Sequence, residues 1–448
     1  MIIIKNTSEE QTVYVPKSEG AVVKSLYELQ DKTVEITENG TTVVTPTGGA
    51  YGLGAVEVVV KTPQYQLLDV TIRDNGTFVI RPDEGYAGLT GVDLHVDVQP
   101  TMVLPAGARF GYWQDTTIPW VLDFQNITNA DYMFAGGTVD SNTGGVSRLV
   151  ELPTIINADG ITSMRSFLRH NSGITSFTPP FSTSKVTSMS DAFNYSKVEL
   201  VDLRPSGGLP ECTDCSNMFR YAPMNGGASD TLEVHLGGTP KLTDVAYMFF
   251  GSMVSSYTGL DLAGVTNASN MFRSSKRLIG DGVFDEEMLN VTNLTNFVTD
   301  SVSFTSIKIT TSSALTNISG FANRYSGALI IESIEITDTS KVVNMSSLVS
   351  GQGRLKSIKL GGMGALTSAP TQAFTSCTLL EDVDGLDGLK YSISFSNSAN
   401  LTLQSLTNII NQIGTATTRP TLTLNATTKA MLTDDLISIA TSKGWTIA

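Results

Sequence analysis

The chain has 448 residues, of which 41% are hydrophobic and only 16% charged, and its 29 basic and 43 acidic residues give a net charge of −14. That length fits several domains or one long repeat array, with enough apolar content for a sizeable core. No Lys/Arg cluster is present to displace phosphate counterions, an acidic surface disfavours anionic membranes, and no apolar run reaches the ~20 residues of a bilayer span, which sets aside nucleic-acid binding and membrane insertion.

MIIIKN (1–6) and QTVYVP (11–16) read as strands, and VVKSLYELQ (22–30) as a short helix, within an attachment segment over 1–30. The three isoleucines fall short of the ~7–15 residue apolar core of a signal peptide, so no secretory route is expected. TVEITENGTTVVTPTGGAYGLGAVEVVV (33–60) then returns as DVTIRDNGTFVIRPDEGYAGLTGVDLHV (69–96), with Asn39-Gly40 matching Asn75-Gly76, Gly52-Leu53 matching Gly88-Leu89 and Val56 matching Val92. Asn-Gly between alternating apolar runs is a strong hairpin signal, because the tight turn needs positive φ at both central residues. Two small all-β modules, 31–64 and 65–103, are expected. Tyr112, Trp113 and Trp120 follow, and read as an N-terminal cover on what comes next.

From residue 127 a phrase recurs: ITNADYMF (127), ITSMRSFL (161), VTSMSDAF (186), CTDCSNMF (212), LTDVAYMF (242), VTNASNMF (265), VTNLTNFV (291), LTNISGFA (315), VVNMSSLV (342) and, with one residue inserted, LTSAPTQAF (366). The average spacing of about 27 residues lies in the leucine-rich-repeat range of roughly 20–29. Thr187 or Ser188 is placed to cap a short helical turn, which sets Val186, Met189 and Phe193 on one face. One turn cannot bury that face, but the next copy stacked on it can. Met189, Met218, Met248 and Met271 are expected to share a column.

Between the phrases lie alternating strands: LVDL (200–203), LEVHL (232–236), GLDL (259–262), SIKI (306–309), SIEI (333–336) and SIKL (357–360). Alternation sends their aliphatic residues inward and sets Asp202, His235, Asp261, Lys308, Glu335 and Lys359 outward in one row, the candidate ligand-facing row. The fold expected is an α/β leucine-rich-repeat solenoid over 104–414, with a parallel β-sheet on one side and short helical turns on the other, preceded by the all-β modules. A C-terminal cap over 415–448 holds the strand TLTL (421–424), a helix opened by Thr433 with Asp434 and Asp435 in its first turn, a stop at Gly444, and a last strand containing Trp445.

Little catalytic chemistry is visible. Cys212 and Cys215 occupy apolar places of the phrase and read as core thiols, and no partner pair or nearby histidine completes a zinc site. With Cys377 they make an odd, sparse set, unlike a disulfide framework. His95 and His235 read as outward strand residues, and His170 follows an aromatic phrase. Asp382, Asp384 and Asp387 read as a solvated turn and Asp285-Glu286-Glu287 as a solvated helix start. No phosphate loop, nucleophile elbow or HExxH motif occurs. No cofactor, metal or catalytic residue is nominated.

FSTSKVTSMSDAF (181–193), DTSKVVNMSSLV (338–349) and VTNASNMF (265–272) resemble the BspA-like leucine-rich repeats of bacterial surface proteins over roughly residues 125–390. The two front modules and the closing LTDDLISIATSKGWTIA are similar to parts of fibre proteins of gut bacteriophages and prophages. These resemblances imply a non-enzymatic virion surface protein, a head or tail fibre made in the host cytoplasm and released by lysis. Its N-terminal segment would hold other virion proteins, and its repeats would touch host surface polysaccharide, mucus glycan or a surface protein. Such fibres are often homo-oligomers, trimers above all. A cellular BspA-type adhesin and a capsule depolymerase are the alternatives, the latter without a carboxylate pair to nominate.

Overall fold

A computed structural model describes residues 103–448 apart from 105, 107, 109, 111–116, 119, 120, 137–145, 225–229, 278 and 326–329, together with the backbone of strands nearer the N-terminus. Two compact units are distinguished, residues 1–212 with 223–225, and residues 213–222 with 226–448.

In the first unit, Gln11–Val15 pairs antiparallel with Ile3–Asn6 and with Thr42–Val44. Ala21–Ser25, where a helix was expected, is a strand that pairs with Ala55–Val60. Ala55–Val60 pairs in turn with Leu67–Ile72, and Leu67–Ile72 with Phe78–Pro82. Asn39-Gly40, Asn75-Gly76, Gly52-Leu53, Gly88-Leu89, His95, Tyr112, Trp113 and Trp120 lie outside the described residues.

Beyond residue 100 both units are parallel β-solenoid. In the first, Val121–Asp123 pairs in parallel with Thr101–Val103 and Ile155–Ile156, and Ser176–Phe177 with Leu200–Asp202. In the second, Leu232–His235 pairs with Val254–Thr258, and a separate sheet runs Val283–Glu287, Ser306–Thr310, Ser333–Ile336, Ser357–Lys359, Asp382–Asp384. The strands are short because each makes one side of a coil. Their period-two pattern buries Val234, Ile307, Ile309, Ile334, Ile336 and Ile358 while the intervening residues face out. GLDL is a correction: the strand there is Val254–Thr258, and Asp261 sits in the turn after Gly259, whose φ of +71° ends the extended run.

The recurring phrase is not helical. A helix would send each N–H to the carbonyl four residues back. Here alternate amides cross to the next coil: Val245 to Asn267, Tyr247 to Ser269, Phe249 to Met271 and Gly251 to Arg273, at 3.0, 3.0, 2.9 and 2.8 Å. The amides between them close turns instead, Met248 onto Val245, Phe250 onto Tyr247 and Ser252 onto Phe249, each at 3.1 Å. This alternation needs a left-handed residue at the sixth and tenth places of the phrase. Asp191 and Tyr195 in the first unit, and Asn270 and Ser274, Asn296 and Asp300 in the second, have φ between 53° and 59°. Asn, Asp and Gly recur at the sixth place because they tolerate that region best.

Side chains finish the turn. At the third place, Asp244, Asn267, Asn293, Asn317 and Asn344 each accept the amide two residues on, at 2.8–3.2 Å, which replaces the expected helix cap by an Asx turn. Ser188 makes a longer version with Ser190 at 3.4 Å. At the second place a threonine ladder runs coil to coil: the hydroxyls of Thr243, Thr266, Thr292 and Thr316 donate to the second-place carbonyl one coil back at 2.9–3.1 Å. The amides of the same threonines go to the same oxygens, which use both lone pairs.

Inside, the first, fourth, seventh and eighth places form apolar columns. In the second unit Phe219, Phe249, Phe272, Phe297 and Phe321 follow one another with centroids 5.4–5.6 Å apart. In the first, Phe134 lies 5.2 Å from Phe167, and Phe177 of the strand Ser176–Phe177 bridges Phe167 and Phe193 at 5.9 and 5.0 Å. The methionine column needs one correction. Met218, Met248 and Met271 stand at the seventh place, whereas Met189 stands at the fourth, where its carbonyl accepts from seventh-place Ala192 as that of Cys215 accepts from Met218. Cys212, Cys215 and Cys377 are buried thiols.

The C-terminus follows expectation closely. Ile393–Phe395, Thr421–Leu424 and Thr446–Ile447 form a parallel sheet. Thr433 caps helix Asp434–Ser442 by accepting from Leu436, Gly444 leaves it at φ +85°, and Trp445 is buried. A second helix, Leu403–Gln412, stands where only the repeat array was read. Thr402 caps it, and it buries Leu406, Ile409 and Ile410.

Candidate functional site

Half of the candidate row is assembled in the second unit. Parallel register places Lys308 beside Glu335, and Glu335 beside Lys359. It also extends the row at both ends, to Asp285 beside Lys308 and Asp384 beside Lys359. The charges therefore alternate along the sheet. Lys308 pairs with Asp285 at 3.2 Å and Lys359 with Glu335 at 3.6 Å, and Glu332 holds Arg354 and Lys356 at 3.0 and 2.9 Å. The two cations hold the exposed Glu332 carboxyl below its usual range, Lys356 contributing most. Asp261 lies off the strands: its amide goes to Thr239 and its carboxylate accepts from Ala263. His235 shares a 2.8 Å hydrogen bond with Thr258. In the first unit Asp202 is clamped by Arg204 through Nε and Nη2 at 2.9 and 2.8 Å. Exposed pairs of this kind contribute little stability and leave an outer surface of fixed but locally neutralised charge.

Two acidic segments differ from expectation. Val283–Glu287 is a strand, not a helix start, and its register sets Glu286 beside inward Ile309. Burial, then the neighbouring Asp285 and Asp261, push the Glu286 carboxyl up, and burial with Glu286 nearby pushes the Tyr257 hydroxyl up. Asp382–Asp384 is likewise a strand rather than a solvated turn, with Asp384 accepting from Gln412 and Gly385. Among the described residues no group of three or more His, Cys, Asp or Glu is arranged to hold a metal. His170 stacks on Tyr195 at 5.2 Å and 4°, and burial lowers its pKa, with Arg169 adding to the effect.

A further cluster is not among the residues singled out from the sequence. In the second unit the turn ladder carries Arg220 and Tyr221 on one coil, Tyr247 and Phe250 on the next, and Arg273 on the third. The Arg220 guanidinium carbon lies 5.4, 5.6 and 5.2 Å from the ring centres of Tyr221, Tyr247 and Phe250, and that of Arg273 lies 5.5 Å from Phe250. Such distances are those of cation–π contacts. Tyr221 packs edge-on to Phe250 at 5.1 Å, and Tyr247 tilts against it at 5.7 Å. Asn217 and Asn270 each hold the arginine three residues on through Nη1, at 3.4 and 3.2 Å. Gly251 makes the cluster possible, because a Cβ there would come within 2.5 Å of the Tyr221 ring. The signal was legible as a repeated Asn-Met-Phe-Arg, 217–220 and 270–273, with Tyr-Met-Phe-Phe between. In comparisons with protein-family models, curated proteins and solved structures, nothing matches the chain.

Proposed function

We propose that the chain is a non-enzymatic structural and adhesive surface protein: a bacteriophage head or tail fibre whose array is a leucine-rich-repeat solenoid of BspA-like type. In this reading turn ladders stand where other leucine-rich repeats carry helices. The repeats touch host surface polysaccharide, mucus glycan or a surface protein. The N-terminal segment holds other virion proteins, and the chain works as a homo-oligomer, a trimer by analogy with fibres. One observation supports the adhesive role above others. The second-place threonines Thr243, Thr266, Thr292 and Thr316 are exposed in consecutive coils, each fixed by its own hydrogen bond to the coil before. A ready-ordered polar ladder loses little side-chain entropy on contact, and copy number multiplies weak contacts into avidity. The virion assignment rests on the resemblance of the front segments and the closing segment to phage fibres. Immunogold labelling of phage particles with an antibody to residues 230–448 tests it: gold on particles is expected, and gold on bacterial envelopes with none on particles would point to a cellular adhesin instead.

A further inference from the structure

We propose that the cluster of Arg220, Tyr221, Tyr247, Phe250 and Arg273 is a binding site for a carboxylate-bearing sugar of an anionic polysaccharide, such as a uronic acid residue. This rests on the adhesive reading above, and gives it a place and a ligand class.

Two observations lead there, and a third bears on the test. The first is charge. In a chain with net charge −14, two arginines converge on one ring from neighbouring coils, and among the described residues no carboxylate forms an ion pair with either. Along the strand row of the second unit, by contrast, Lys308, Arg354, Lys356 and Lys359 each have an acid. The Nε of both arginines is buried with no acceptor, and Nη1 is held by an asparagine. Nη2 is left as a preorganised donor, and a planar carboxylate is the anion that a guanidinium edge recognises best.

The second is the company the arginines keep. Tyr221, Tyr247 and Phe250 are half-buried, neither sealed in the core nor freely solvated. Aromatic rings next to a fixed donor suit a ligand that has both C–H faces and oxygen substituents, as a pyranose has. A naked phosphate or a peptide carboxylate would use the arginines and leave the rings idle.

The third is backbone cost. Tyr247 sits at φ 59°, at the sixth place that Asn217 and Asn270 fill on neighbouring coils, and Tyr221 at φ 55°, at the tenth place that Gly251 and Ser274 fill. A bulky residue there costs on the order of 1–2 kcal/mol against the right-handed region, and the turn ladder requires that conformation on every coil, so asparagine at position 247 is compatible with the fold.

The test uses the full chain and polygalacturonate immobilised on a biosensor, with fully methyl-esterified polygalacturonate, dextran and dextran sulfate as companions. The expected result is binding to polygalacturonate at least tenfold tighter than to the ester or to dextran. Arg220→Gln with Arg273→Gln should weaken it at least tenfold, Arg220→Lys less, and Lys341→Gln, on an exposed residue outside the cluster, not at all. Thermal melts of each variant separate lost binding from lost folding. If the double glutamine variant melts low, Tyr247→Asn, which suits the left-handed backbone, takes its place and should still lose at least fivefold. Equal affinity for acid and ester, equal affinity for dextran sulfate, no binding to polygalacturonate, or unchanged binding by a folded cluster variant would each overturn the proposal. Whole-cell binding by the wild-type chain, unaltered in the double variant, would overturn this site while leaving the adhesive reading in place.

Discussion

Replacing Phe272 by alanine probes the stacking of coils at its densest point. Phe272 is fully buried, and its ring lies 5.4 Å from Phe249, 5.9 Å from Phe284, 5.5 Å from Phe297 and 5.0 Å from Phe304, on coils either side of its own. Losing a buried phenylalanine costs about 3–5 kcal/mol when its surroundings cannot collapse, and aromatic pairs add about 0.5–1.5 kcal/mol each beyond burial. Hydrogen-bonded coils on both sides hold the neighbouring backbone in place, so the expected loss is about 4–5 kcal/mol. Val283, 52% exposed on the adjacent strand, is the internal control, and V283A should change stability by less than about 0.5 kcal/mol. Urea unfolding measures both. Native-state hydrogen exchange adds a spatial readout, because in a stack of coils the damage falls on the nearest neighbours, residues 242–252 and 291–301, before others. A loss below about 1 kcal/mol for F272A, or exchange that rises uniformly along the array, would refute the reasoning.

Asn293→Ala removes the acceptor for the Thr295 amide and hydroxyl, at 3.0 and 2.6 Å, and should cost about 1 kcal/mol in urea, whereas N293D, which keeps an oxygen where Asp244 has one, should cost less than half of that. For Glu286 the folded carboxyl lies above its ordinary value, so the folded state holds a proton that the unfolded chain has released, and this residue lowers stability as pH rises through that window. E286Q should therefore raise Tm at pH 7, with the gain fading as pH falls below the ordinary glutamate value; a constant gain at all pH values would contradict the assignment. Burial pushes the Cys377 thiol up to about 12, so a thiol reagent at pH 8 should label it at least a hundredfold more slowly in the folded chain than in urea; fast labelling of the folded chain would show the site to be open.

The solenoid was legible because its cause is periodic. Alternating strands such as SIKI and SIEI, and apolar places repeated about every 27 residues, admit few folds other than stacked coils. The turn ladder was misread as helix because apolar residues at the first, fourth and eighth places satisfy helical spacing as well as inward positions of a coil. The deciding signal lay in the polar residues. Asn or Asp at the third place and Asn, Asp or Gly at the sixth mark an Asx turn and a left-handed residue, and both disfavour helix. Asp261 was placed in a strand by alternation alone, while Gly259 just before it carries the positive φ that ends one. The Lys308, Glu335 and Lys359 part of the row follows from strand period. Asp285 and Asp384 joined it only through the register of neighbouring strands, which no single segment encodes. The arginine–aromatic cluster left a trace in the repeated Asn-Met-Phe-Arg, but no single segment shows its members together, since they are half-buried and meet only when three coils are stacked.

Spin labels report the stacking itself. Cysteines introduced in pairs at exposed second-place threonines, Thr243 with Thr316 and Thr243 with Thr367, leave the buried native thiols unlabelled. At about 4.8 Å per coil the account predicts separations of about 15 and 24 Å, growing in step with coil number and broadened only by the label linkers. Dipolar electron spin resonance distances that do not grow with coil number, or a Thr243–Thr367 separation beyond about 40 Å, would contradict it.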